Sequence, residues 1–157
     1  MMDSLPVLKE QLDVLFAEAL GELRVPYRLF TDHEGLIEAL RALDAERASR
    51  PVTVGDPTSS IAAHCEHMRF SACAWGEWLG GSREPVDWNA SWGVSSVGEE
   101  EWRTLVEDLR IAFERTMDTV RAVNEGTPET IGGMVGLVAH TAYHIGTIRE
   151  KLRALAR

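Results

Sequence analysis

Residues 129–154 read ETIGGMVGLVAHTAYHIGTIREKLRA, and the order of apolar side chains along them decides the fold. Ile131, Val138, Ile145 and Leu152 recur every seven residues, with Met134, Ile148 and Leu155 beside them. That spacing predicts one long helix with a single apolar stripe. Ahead of it, Asn124-Glu125-Gly126-Thr127-Pro128 reads as a helix stop followed by a new start.

Three more segments carry the same periodicity. The first runs from about Pro6 to Leu20, with Leu5, Leu8, Leu12, Leu15, Phe16 and Leu20 at spacings of three and four, Ser4 as N-cap and Pro6 as an early helical residue. Another begins near Thr58 or Ser59 and ends at Leu79, before Gly80-Gly81-Ser82. Its stripe is Ile61, Cys65, Met68, Ala72, Trp75 and Leu79. A further helix from Glu99 to about Val123 turns Trp102, Leu105, Leu109, Ala112, Phe113, Thr116 and Val120 inward, with three glutamates at its positive end.

Between the first two long helices, a shorter helix is expected from Asp32 to about Ala48, with Leu36, Ile37, Leu40 and Leu43 on one side. Pro51 and the turn-rich VGDPTSS end it. Only PVTV at 51–54 approaches a strand pattern. The connection GSREPVDWNASWGVSSVG, residues 81–98, is long for a compact domain, and such loops usually cover or do something. Trp88 and Trp92 are expected to pin it onto the helices. The pattern predicts an all-α single domain over residues 1–157. Its expected form is a four-helix bundle of up-down-down-up type with a short accessory helix and a long crossover loop.

Composition narrows the function. A net charge of −9 argues against a nucleic-acid surface, and 45% hydrophobic with 26% charged residues is an ordinary globular balance. Cys65 and Cys73 stand eight residues apart, about 12 Å along a helix, so they are expected to be buried free thiols in a reducing compartment. No apolar run approaches about 18 residues and the start lacks a signal-like pattern, so a cytoplasmic protein without a membrane partner is expected.

Four of the five histidines fall into two groups, His64/His67 and His140/His144. His33 stands alone and reads as a surface or capping residue. An i,i+4 pair sets two imidazoles on one helix face, one turn apart, as two ligands of one ion require. Measured from Ile148 at about 100° per residue, His144 lies about 40° and His140 about 80° to one side of the stripe. Measured from Met68, His64 lies about 40° and His67 about 100° aside. All four therefore flank the core, where facing helices of a bundle build metal sites. Two hydrogen-bonded histidine pairs in a partly buried face are the alternative. Gly132, Gly133 and Gly136 suggest close helix approach or room for a ligand.

The segments SIAAHCEHMRFSACAWGEWL (60–79) and VAHTAYHIGTIREKLRA (138–154) resemble the DinB/YfiT-like superfamily of small metal-binding helical bundles. In that family a Ser/Thr-Ile start is followed, six residues after the Ile, by a ligand histidine; here that residue is His67. The H-x-x-x-H-x-G motif of the last helix falls on His140 and His144, with Gly146 after them. The resemblance thus implies a divalent metal on His67, His140 and His144, with Zn or Ni foremost and Fe, Mn or Cu as alternatives. It leaves His64 as a fourth ligand, a residue supporting the ligands, or a proton carrier. Glu150 departs from the family's G-x-I-R-Q run.

Three neutral imidazoles leave a coordination position open, as catalytic sites do. By resemblance the expected function is a metal-dependent thiol transferase or hydrolase acting on a small-molecule substrate. A low-molecular-weight thiol and a homodimer are its expected partners. A non-catalytic metal-binding bundle with a structural, sensing or stress-response role is the alternative. No carboxylate stands out as general base, Glu66 and Glu77 being as readily solvated. Cys65 lies in the apolar stripe, where burial raises its pKa and removes it as a nucleophile.

Overall fold

A computed structural model of the chain describes residues 4–21 and 35–156. Six α-helices occur among them: α1 (Leu5–Leu20), α2 (Leu36–Arg41), α3 (Ala45–Ser49), α4 (Ile61–Leu79), α5 (Glu99–Ala122) and α6 (Pro128–Leu155). Short 3-10 turns at Pro57–Ser59 and Trp88–Trp92 complete them. No strand occurs among the described residues, PVTV included, and no helix among them is long and apolar enough to cross a membrane.

The four long helices match their sequence patterns closely, and local chemistry sets their ends. The α4 start lies slightly later than expected. Asp56 accepts the Thr58 amide to hold the 3-10 turn, and Ser60 is the N-cap, its hydroxyl accepting from Ala63 N at 3.1 Å. At the far end Gly81 adopts φ +103°, a left-handed conformation that a β-carbon would strain, and Ser82 N donates back to Glu77 O. Thr127 caps α6 through Thr130 N, with Pro128 as its first residue.

The accessory helix is two pieces. Asp44 takes the Arg47 amide at 2.7 Å and starts α3 as a new helix, so the apolar run of 36–48 bends instead of continuing. The residues 32–34 assigned to its start, and His33 with them, lie outside the described residues.

Helix α4 is the hub. It packs against α5 on one side and α6 on another, with α3 and the 3-10 turns closing the remainder. Its stripe is buried as expected except at Trp75, which is half-buried, and Ala62, Ala63 and Ala74 add further buried faces. Small residues let α5 come close: a β-carbon on Gly76 would lie 3.0 Å from Thr116 Oγ1, which itself donates to Ala72 O across the helix pair. Helix α1 leans on α5 and α6. Asp13–Arg121 and Lys9 Nζ–Val123 O, at 2.7 and 2.9 Å, fasten it to α5 and the residue that follows. The inward face expected for α5 is buried at every position named, and Trp102 donates its indole N–H to Leu43 O at 2.8 Å. Cys65 is fully buried, and burial drives its thiol pKa upward; Cys73 is only half-buried, which corrects the expected pair of buried thiols.

The stripe of α6 needs a second correction. Its buried line is Met134, Leu137, Thr141, His144, Ile145 and Ile148, whereas Ile131, Val138 and Leu152 of the seven-residue series are half-buried. For Ile131 and Val138 the reason is angular. Measured from Ile148, Leu137, Thr141 and Met134 fall within about 40°, but Val138 and Ile131 lie about 80° and 100° away. A straight α-helix drifts off a seven-residue repeat, so the true core line follows the 3.6-residue period.

Met134→Ala should therefore lower unfolding free energy by about 2–4 kcal/mol, and Val135→Ala, at an exposed site, by no more than about 0.5. Urea denaturation followed by circular dichroism measures both. Equal losses at the two positions would contradict this assignment of faces.

Candidate metal centre

The imidazoles reach one another because α4 and α6 lie side by side with their histidine-bearing faces inward. One ring nitrogen each of His67, His140 and His144 lies within 4.8 Å of the other two. These three could hold a metal ion. His64, from the preceding turn of α4, stands behind them: its Nδ1 is 2.9 Å from Nδ1 of His144.

The hydrogen bonds order the protons. Ser91 Oγ donates to Trp88 O at 2.6 Å, so its oxygen is free to accept from His67 Nδ1, 2.7 Å away. His67 then carries its proton on Nδ1 and presents a bare Nε2. That atom sits 3.0 Å from His140 Nε2, which donates to it. Two nitrogens bound to one ion at about 2.1 Å, at an angle near 90°, would show about this separation. The 4.8 Å limit must shrink to about 3.4 Å for tetrahedral ligands, an approach of about 1.4 Å at most. With Nδ1 of His144 engaged by His64, Nε2 is its remaining nitrogen. Hydrogen-bonded ligand imidazoles of this kind are the usual support of a metal site.

The two histidine pairs anticipated as an alternative are also present, His64 with His144 and His67 with His140, each joining α4 to α6. Metal binding and the His67–His140 hydrogen bond compete for the same nitrogens.

The crossover loop closes the site. Trp92 stacks on His67 with ring centroids 4.1 Å apart and 13° between planes, and its ring stands edge-on to His64. The expectation that both tryptophans pin the loop holds in part, because Trp88 is about half exposed and meets only the edge of Phe70 among the rings. Ser60 ties the end of the loop to the start of α4 by donating to Ser95 O at 2.9 Å. Ser91 and Trp92 were not singled out as site residues from sequence. The available signal was a serine and a tryptophan inside a loop too long for a plain connection. Glu66 is engaged by Arg69 in two 2.7 Å hydrogen bonds and lines a cavity that none of the imidazoles borders, and Glu77 is exposed. Glu150 is exposed and paired with Arg153. Gly146 meets no atom within 4 Å of where a β-carbon would be, and nothing in the structure explains it.

Burial dominates the electrostatics. Desolvation brings His64 and His67 down to about 4 and His144 to about 3, with neighbouring imidazoles and, for His64, Lys151 adding to it. Asp56 partly offsets the shift at His64. His140 is lowered too, by desolvation. Near neutral pH all four rings are uncharged, the form that ligates metal.

No family model matches the chain, and neither a curated protein nor a solved structure matches it.

These shifts fix a pH dependence for metal-free protein. In the unfolded chain the imidazoles titrate near about 6.5, whereas the folded His64 and His67 rings stay neutral until about pH 4. Below about 6.5 the unfolded state binds more protons, so unfolding free energy should fall as pH drops from about 6.5 to about 4. Denaturation with chelator present measures it. A flat profile between about pH 6.5 and 5, above the carboxylate range, would rule out buried neutral imidazoles.

Proposed function

We propose that the chain is a metal-dependent enzyme of the thiol-transferase or hydrolase type, with His67, His140 and His144 as ligands of one divalent ion, Zn or Ni foremost. The observation that carries this reading is the convergence of three neutral imidazole nitrogens from two helices. A divalent ion held there supplies Lewis acidity and acidifies a water or a thiol. The chain's own residues do the rest. His67 is held in one tautomer by Ser91, and Trp92 shields its ring face from water. His64 orients His144 through their paired Nδ1 atoms, which makes it a positioning residue and not a fourth ligand.

Under the same reading α1, α4, α5 and α6 form a four-helix bundle of the DinB/YfiT-like kind, with α2 and α3 as accessory turns. Support comes from the motif register on His67, His140 and His144, and from the packing of α4 and α1 against both α5 and α6. A low-molecular-weight thiol and a homodimer belong to the same proposal. The histidine pairs that join α4 to α6 support a second reading, a non-catalytic bundle whose imidazoles serve stability or metal sensing.

Elemental analysis of protein made without a histidine tag should find about one ion per chain. Alanine at His67, His140 or His144 should abolish it. His64→Ala should keep the stoichiometry with affinity weaker by about 10–100-fold, the usual cost of losing a residue that supports a ligand. Less than about a tenth of an ion, with no uptake of added Zn²⁺ or Ni²⁺, would end the metal reading. Thiol-transfer and esterase rates of the wild-type loaded protein that are unchanged by His144→Ala would favour the non-catalytic role.

A further inference from the structure

We infer that the tryptophan-lined cavity, about two helical turns from the imidazoles, holds the flat, uncharged apolar end of the substrate. This rests on the reading of the histidines as a reaction centre and specifies what is brought to it. The cavity measures about 500 Å³, within the range of small-molecule sites. Trp75 and Trp78 of α4, Val86 and Trp88 of the crossover loop, and Glu129 and Gly132 of α6 line it. Indole rings present broad faces for a planar apolar group, and Glu129 at the wall disfavours an anion.

The glycines of α6 separate packing from ligand space. A β-carbon on Gly133 would lie 2.4 Å from the Trp78 ring, and one on Gly136 would lie 3.3 Å from Trp75. Ring packing accounts for both. Gly132 is different: a β-carbon there would meet nothing within 4 Å, although glycine weakens a helix interior. It borders the cavity, which any larger side chain at 132 would partly fill.

The cavity and the imidazoles lie along the same sides of both helices, and the crossover loop links them. His67, Ser71, Trp75 and Trp78 follow one another at helical spacing on α4, as Gly132, Gly136, His140 and His144 do on α6. On each helix eight residues, about 12 Å, separate a ligand histidine from the cavity wall. Trp88 belongs to that wall, and its carbonyl accepts from the Ser91 hydroxyl that holds His67. Midway along α4, Ser71 is 1% exposed and its Oγ has no hydrogen-bond partner. A buried hydroxyl left unpaired is costly, and a polar linking group of the substrate, such as an amide or ester, would satisfy it. The substrate class is thus an uncharged molecule with an aryl end, a polar linker and its reacting group at the histidines.

Four probes test this: 3-(2-naphthyl)propanamide, its hydroxamic acid, acetohydroxamic acid and the anion 2-naphthalenesulfonate, each titrated by calorimetry into metal-free and Zn²⁺-loaded protein. The amide should bind both forms, and the naphthyl hydroxamate should bind the loaded form at least about tenfold more tightly than either parent probe. Gly132→Leu, whose β-carbon meets no neighbour and whose side chain would occupy the cavity, should fold with an unchanged or higher melting temperature, weaken the amide at least about tenfold and leave acetohydroxamate unaffected. Ser71→Ala should weaken the amide several-fold without loss of stability. Wild-type affinity of the amide for Gly132→Leu would overturn the proposal, as would equal affinity for 2-naphthalenesulfonate. If Gly132→Leu abolishes amide binding but Zn²⁺ brings no gain for the hydroxamate, the cavity stands and the metal reading fails.

Discussion

Everything at the site depends on α4 being enclosed on several sides at once. A helix with one apolar stripe can lie on a surface, but α4 carries Ala62, Ala63, Ala72, Ala74 and Gly76 around it, all buried. These small side chains let neighbouring backbones approach closely, and the 2.7 Å bond from Thr116 to Ala72 O records how close α5 comes. With α5 fitted tightly on one side, the His64 and His67 side has only α6 and the crossover loop to face. Those two elements supply His140, His144, Ser91 and Trp92.

The result is four imidazoles desolvated together without a charge among them. Isolated buried charges are costly, so the rings shed their protons and pair across the helices instead. That neutrality serves two ends that need not coincide. It closes the α4–α6 seam with hydrogen bonds, and it leaves nitrogens in the form that ligates metal. The His67–His140 contact, at 3.0 Å between two Nε2 atoms, is where the two uses meet, since one proton there must move before an ion can take both nitrogens.

The crossover loop shows why long irregular connections resist reading from sequence. Its tryptophans were visible as apolar weight in an otherwise polar stretch, but their partners were not. Trp92 stacks on His67, while Trp88 stays about half exposed and lends its carbonyl to Ser91. No periodicity distinguishes the two, because a loop has none; the difference arises from the 3-10 turn that Asp87 starts by accepting the Asn89 amide.

Helix content, the four long elements and the two histidine groups were legible in the sequence because each is a local property. A 3.6-residue spacing of apolar side chains, a capping serine or a glycine stop acts within a turn or two of itself. Even the α6 stripe was legible in principle, and the seven-residue series misled only because a straight helix drifts from it. Tertiary structure alone decided the rest. Sequence geometry set His64 and His67 on one flank of the stripe and the motif register selected His67, but it was the packing of α4 against α6 that turned His64 to His144 Nδ1 and brought His67 to His140 Nε2. It also decided that Ser91 fixes a tautomer and that Gly132 borders open space. Those are distances between atoms far apart in the chain, and they are set by how side chains interlock once the core has closed.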